Sequence, residues 1–198
     1  VSGNLSSRRY ADEVDIFGYR RDNERLEPFV FAKYSADDLT VFAALSRLYG
    51  RWHDPDFSDV NRVLFDASLS WKFKPFSLDL TAARRAAETT FPISPITIDS
   101  IFTAKASWQV DDKWAVTASA GYTDTEYLDS DFRARTLSYG IGVTRDIGHD
   151  FKLGFDISRL TGKLISGEQA DALIVAGSLS KRFVAGGESK PAQPGPKG

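Results

Sequence analysis

Apolar and polar side chains alternate along most of this 198-residue chain, and an aromatic ring stands beside nearly every tight turn. The stretch Phe151-Lys152-Leu153-Gly154-Phe155-Asp156-Ile157-Ser158 shows the period without a break. Successive side chains of a strand point to opposite faces, so a period of two commits the chain to sheet and sorts its residues onto two sides. A soluble sheet needs that alternation but has no use for a ring at the same end of every hairpin. A barrel crossing a membrane needs both, because every second side chain meets lipid and amphipathic rings settle at the lipid–water boundary.

The alternation divides the chain into about nine strands, near 26–34, 39–50, 60–73, 76–85, 97–110, 114–124, 134–146, 151–160 and 170–183. The opening Val1-Ser2-Gly3-Asn4-Leu5-Ser6 reads as the tail of one more. The closest approach to a helical window, Ala82-Ala83-Arg84-Arg85-Ala86-Ala87-Glu88, continues a clear strand and is read as strand. Connections come in two kinds. Ser35-Ala36-Asp37-Asp38, Lys74-Pro75, Asp111-Asp112-Lys113 and Gly148-His149-Asp150 are tight polar turns. His53 to Asp59, Phe91 to Ile96, Leu128 to Asp131, Thr161 to Gln169 and the charge-rich Tyr10 to Asn23 are longer. Short turns on one rim and longer loops on the other match bacterial outer-membrane barrels, whose periplasmic turns are the short ones. The expected fold is therefore all-β, an antiparallel up-and-down transmembrane barrel over 1–183. A Gly/Pro/Lys-rich stretch at 184–198 reads as a disordered tail, either a natural periplasmic extension or a cloning remnant.

The two faces can be assigned by parity. In 60–73, Val63, Phe65, Ala67, Leu69, Trp71 and Phe73 oppose Arg62, Asp66, Ser68, Ser70 and Lys72. A packed core does not tolerate unpaired charges in mid-strand, whereas a watered or charge-paired lumen does. The expected lumen set is Lys33, Arg62, Asp66, Lys72, Asp79, Arg85, Asp99, Lys105, Lys152, Asp156 and Arg182. Its mixed sign implies cross-lumen ion pairing or weak selectivity. In a narrow barrel the same charges form a plug of salt bridges. Phe29, Phe31 and Phe42 fall on the polar parity, as sugar-stacking platforms or through a one-residue slip of phase. Tyr34, Trp71, Phe73, Phe76, Trp108, Trp114 and Phe151 crowd the short-turn end, most of them on the apolar parity. Tyr49, Trp52, Tyr122, Tyr127 and Phe132 lie toward the long loops, which implies a second girdle, and Phe183 closes the last strand.

Several classes are disfavoured. No run of roughly 18 apolar residues exists, so a transmembrane helix is excluded. A net charge of -2 argues against nucleic acid as the main partner. Cysteine is absent, so neither disulfides nor thiolate metal sites arise, and no cofactor is implied. The chain begins Val1-Ser2-Gly3, which suggests a processed mature protein or a piece of a longer one. His53 and His149 belong at opposite rims, too far apart for one catalytic centre. No catalytic residue is expected. Asp54, Asp56 and Asp59 gather carboxylates in one loop but lack the glycine and distal Glu of an EF-hand, which leaves a weak metal candidate. Asp124, Glu126, Asp129 and Asp131 form a similar acidic group. Arg84 and Arg85, with Arg20, Arg21, Arg133 and Arg135, lie near the long loops. They read as contacts to lipopolysaccharide phosphates, as a constriction, or as cations snorkelling to the interface.

Five segments carry a family resemblance: Ala67-Ser68-Leu69-Ser70-Trp71, Arg85-Ala86-Ala87-Glu88-Thr89-Thr90, Ala120-Gly121-Tyr122-Thr123-Asp124-Thr125-Glu126-Tyr127, Tyr139-Gly140-Ile141-Gly142-Val143-Thr144, and the closing strand. As an ordered series they resemble outer-membrane β-barrel porins found beside exopolysaccharide synthesis and export genes in proteobacteria. The chain resembles the C-terminal half of such proteins. The resemblance implies an outer-membrane pore and, more loosely, passage of a surface polysaccharide or small polar solutes. Two other readings stand beside it. One is a non-conducting barrel that anchors an envelope assembly, with lipid, lipopolysaccharide, polysaccharide or assembly proteins as partners. The other is a soluble β-sandwich or lipocalin-like binder.

Overall fold

In a computed structural model, residues 2–8, 14–15, 18–89 and 94–181 are described. They form one antiparallel sheet of ten strands in chain order, with no helix among the described residues. The strands are β1 (Ser2–Arg8), β2 (Asn23–Ser35), β3 (Leu39–Trp52), β4 (Val60–Phe73) and β5 (Phe76–Glu88), followed by β6 (Ile96–Gln109), β7 (Trp114–Tyr127), β8 (Arg133–Gly148), β9 (Phe151–Lys163) and β10 (Gln169–Lys181). Every strand pairs with its sequence neighbours, and no ladder joins β1 to β10 among the described residues. The sheet is therefore a wall with two edges. Arg182, Phe183 and the 184–198 stretch lie outside the described residues.

The soluble-sandwich reading fails here. A sandwich needs a second layer to cover the apolar face, and the described residues form a single sheet. Large apolar side chains such as Leu45, Ile141, Phe155 and Leu173 stand exposed. In lipid that exposure costs nothing.

Local chemistry sets the short-turn rim. Asp111 Oδ1 accepts from the backbone N–H of Lys113 and of Trp114, both at 2.7 Å, and so starts β7 at a ring. Gly148, at φ 86°, opens the β8–β9 turn in the left-handed region and donates its N–H to Asp146 Oδ1 at 2.9 Å. Turn carbonyls also accept from the strand beyond. Lys72 N donates to Asp38 O, Gln109 N to Pro75 O and Asp146 N to Lys113 O, at 2.7, 2.8 and 2.7 Å. That stagger is what a tilted wall requires.

The long-loop rim is built differently. Leu48, Trp52, Phe57, Val60, Leu64, Ile96, Ile98 and Leu128 form a buried cluster there, with Tyr19 and Ala86 packed against it. Below this point the β4–β5 ladder pairs odd residues of β4 with even residues of β5, and it stops at Phe65↔Arg84. In the cluster, even residues of β4 (Val60, Leu64) touch even residues of β6 (Ile96, Ile98), which lie on opposite faces of the sheet below. Two faces of one continuous sheet cannot meet. Above Phe65 the wall has split, and the end of the β5–β6 hairpin is turned so that its apolar face is covered.

Candidate functional site

Register decides which side chains share a face. Along β3–β6, Ala44 opposes Asp66, Asp66 opposes Ala83, Asp79 opposes Lys105 and Arg85 opposes Asp99. Arg62, Asp66, Lys72, Asp79, Arg85, Asp99 and Lys105 therefore stand on one face, joined by Lys33 through its pairing with Phe42. On the far side of the sheet, Asp156 opposes Gly142, and Lys152 opposes Asp146, on this same face. The charges answer one another. Arg85 donates to the Asp66 carboxylate, and Ser70 Oγ donates to Asp79 Oδ1 at 2.7 Å. Arg62 and Arg84 both reach Glu126, at 3.7 and 3.8 Å, where the split rim brings the two sides together.

Phe29, Phe31 and Phe42 stay on this polar face, with no slip of phase: Phe31 opposes Ala44 and Phe29 opposes Ser46. Their rings follow one another at centroid distances of 6.4 and 6.4 Å. A file of rings on a charged face offers flat apolar surfaces within a wet one.

From β7 to β10 the polar face changes texture. It is lined by Thr117, Gly121, Ser138, Gly140, Gly142, Gly154, Ser158 and Ser178. A Cβ on Gly140 would lie 2.9 Å from the Ile157 carbonyl oxygen and 2.8 Å from Ser158 Cβ. The glycines let neighbouring strands sit flush and keep this part of the face smooth.

On the opposite face the short-turn aromatics form a belt. Trp71 and Phe73 stand 4.3 Å apart by centroid, Phe73 and Phe76 5.8 Å, and Phe76 and Trp108 6.1 Å. Cations extend the belt, with Arg145 over Trp114 at 5.0 Å and Lys181 over Phe151 at 4.8 Å. Tyr34 lies on the same face beside the β2–β3 turn, 61% exposed. Rings and cations side by side, all outward, are the chemistry of a membrane interface.

The second girdle differs from its expectation. Trp52 is buried in the rim cluster at 5% exposure, under the Arg25 guanidinium at 5.6 Å. Its even number placed it with Leu48, on the polar parity, and the split rim covers it. Tyr122 packs with Phe102 at 6.4 Å, below the strand end. Tyr49 does stand outward and exposed at this height, with Arg47 over its ring at 5.2 Å, and charges share the rim with it. Arg133 holds Asp124 with two contacts of 2.7 Å, and Arg135 adds a third at 3.6 Å. Arg159 clasps Asp171 at 2.9 and 2.5 Å.

The remaining candidates serve the rim. Asp54 is buried, and its Oδ2 and Oδ1 accept from the N–H of Arg20 at 2.6 Å and of Asp56 at 2.9 Å. Among the described residues no three His, Asp or Glu side chains converge to hold a metal, and of Asp54, Asp56 and Asp59 it is the Asp54 carboxylate that braces the loop. Asp129 Oδ2 accepts from Ser58 N at 3.0 Å and ties two loops together. Arg21 bridges Asp15 at 2.6 Å and the carbonyls of Thr89 and Ser94 at 2.9 and 3.1 Å. His53 ends β3 and His149 ends β8, at opposite rims of the sheet. What parity reading missed is the cluster. Its signal was present as Leu48 and Leu64, apolar residues at polar-phase positions.

Comparison with known proteins agrees with this geometry. The family model described as "Putative beta-barrel porin 2" matches residues 1–163. The solved structure of OmpTdeltaL8, a loop L8 deletion mutant of OmpT, an outer membrane protein of Vibrio cholerae, superposes with a TM-score of 0.56 at 10% identity. It covers 92% of this chain and 66% of its own. Outer-membrane expressed OmpT of Vibrio cholerae gives a TM-score of 0.50 at 11% identity, over 79% of this chain and 54% of its own. The chain thus spans less than two thirds of either solved chain. No curated protein matches it.

Proposed function

We propose that this chain, which belongs to the Putative beta-barrel porin 2 family, lines a water-filled channel for polar solutes across the bacterial outer membrane. Its place as an outer-membrane β-barrel wall is the premise; the channel is the inference. One observation carries it: a single face holds mid-strand charges of both signs, while the opposite face is apolar and belted by rings. Charges there avoid the cost of desolvation where water reaches them, and ion pairs such as Arg85–Asp66 answer only part of the set. Their mixed sign suits weak ion selectivity rather than a single-sign filter.

The solute class follows from the aromatic file. Phe29, Phe31 and Phe42 offer faces that stack on the apolar faces of sugar rings, beside Lys33 and Asp66 for hydroxyl contacts. Passage of saccharides, whether small or as a surface polysaccharide in export, fits that surface. Planar-bilayer recording on the full-length protein tests both levels. Discrete conductance steps are expected, and a linear oligosaccharide should block them less well in Phe31→Ala. Silent bilayers from correctly folded protein overturn the channel; undiminished block in Phe31→Ala overturns only the sugar track.

An anchoring barrel without conductance is the second reading, and the rim cluster favours it. Leu48 and Leu64 leave the polar face at its long-loop end and are sealed under loop residues. A mouth narrowed in that way would silence a small barrel but not a large one. A wall of ten strands with two edges needs further strands to close, and their number sets the bore.

A further inference from the structure

Arg135 and Lys163 stand directly opposite each other in the β8–β9 ladder, both exposed on the outward face near the long-loop rim. Like charges in opposed cross-strand positions repel and destabilise a sheet. Arg135 is only partly answered: its 3.6 Å contact is to an Asp124 already gripped twice by Arg133. Lys163 makes no ion pair among the described residues, and its partner on the other side is the neutral Gln169. Two cations opposed at this height suit a doubly charged anion.

The surroundings say what kind. Arg135, Lys163, Thr161 and Gln169 line a groove of about 340 Å³ with Leu137 and Tyr122, and the one carboxylate that also lines it, Asp171, is neutralised by Arg159. The same Leu137 and Tyr122 form one end of a second, apolar trough of about 530 Å³ on the outward face, which crosses the strands at the level where Leu80, Ala104 and Ala120 stand opposite one another. A charged compartment opening directly onto an apolar one fits an amphiphile, with its headgroup at the rim and a chain lying across the tilted strands. The long-loop rim is the outward rim of such barrels.

We propose that this is a binding site for a phosphorylated, acylated glycolipid of the outer leaflet. The phosphate sits between Arg135 and Lys163, and an acyl chain lies in the alanine-floored trough. Phosphate recognition by a guanidinium and an ammonium supplies the specificity, while the trough removes the chain from competition with bulk lipid. The site rests on the orientation of the wall and is independent of conductance.

The test uses the full-length protein in neutral detergent, with native mass spectrometry to count retained lipid. Bis-phosphorylated lipid A is the probe, compared with its dephosphorylated form, phosphatidylglycerol and inorganic phosphate. Wild-type protein should retain the phosphorylated probe and release the dephosphorylated one. Arg135→Gln and Lys163→Gln should each weaken retention about tenfold, the worth of one charge-assisted hydrogen bond. Ala104→Trp, which fills the trough, should weaken it with the cations intact. Arg145→Gln with Lys181→Gln, at the opposite rim, should change nothing. Channel conductance should be unaltered in all of them.

Equal retention of both lipid A forms by the wild type overturns the proposal without any variant. Equal loss in the opposite-rim control reduces the pair to general interfacial charge and also overturns it. Displacement of the probe by inorganic phosphate, or equal retention of phosphatidylglycerol, overturns the glycolipid assignment in favour of a simple anion site.

Discussion

The polar face has two unlike halves. From β3 to β6 it carries Arg62, Asp66, Lys72, Asp79, Arg85, Asp99 and Lys105, and its upper end folds into the apolar rim cluster. From β7 to β10 its charges, among the described residues, are Asp146, Lys152 and Asp156, on a field of Gly, Ser, Thr and Ala. The first half is organised by long side chains that pair across strands and by loops that pack down on it. The second is organised by backbone that approaches closely because side chains are missing. Specific chemistry belongs to the first half and smoothness to the second, and each is vulnerable to a different kind of substitution.

The strongest test of that contrast is Ile98→Ala in the fully buried cluster. It should cost about 2–5 kcal/mol, the range for deleting a buried aliphatic side chain. Lipid-facing Ile157→Ala in the smooth half leaves no cavity and should cost less than half as much. Urea unfolding in vesicles measures both, and equal costs would show that the cluster is no more a core than the rest of the wall. Next comes Gly140→Val. Its Cβ meets backbone that cannot retreat, so a loss of about 1–3 kcal/mol is expected, as for overpacking. Gly177→Val, with nothing within 4 Å, should stay within about 0.5 kcal/mol of wild type. A tolerant Gly140 would mean that close approach does not organise β7–β10.

Selectivity provides a smaller effect. Arg85→Gln leaves Asp66 without its cation and should move the permeability ratio toward cations by about two- to fivefold, or ~0.5–1 kcal/mol for a charge in a wet site. Asp156→Asn should move it the other way and less. Reversal potentials in a salt gradient decide, and identical shifts of opposite sign would erase the distinction between the halves. The smallest effect is expected for Arg159→Gln. Its ion pair with Asp171 is about half exposed on both sides, so the urea midpoint of the variant should stay next to that of the wild type.

Strand ends show how far sequence pattern reaches. At the short-turn rim the boundaries at Leu39, Phe73, Phe76, Trp114 and Phe151 coincide with those expected from turn residues. Asp111 and Gly148 act there through their own local geometry, which any reader of the sequence can apply. At the long-loop rim the strands run on, from 26 back to Asn23, from 50 to Trp52, from 85 to Glu88, from 124 to Tyr127 and from 160 to Lys163. Two of these ends carry local turns, with Ser130 Oγ donating to Tyr127 O and Gly167, at φ 85°, donating its N–H to Leu164 O; pairing with the next strand and packing under the loops set the others. Trp52 illustrates the consequence, since an aromatic near a strand end reads the same in sequence whether it faces lipid or a buried cluster.

Sequence alone determined the sheet, its two faces, the short-turn rim and the placement of the mid-strand charges of β4–β6 opposite the short-turn belt of rings. Those follow from a period of two and from the free energies of moving side chains between water and lipid, which act residue by residue. Tertiary structure decided the split above Phe65, the covered faces of Ile96 and Ile98, the service of Asp54 as a backbone brace, and the meeting of Arg135 with Lys163. Each depends on which residues stand opposite one another across strands, a property of register that no single segment contains.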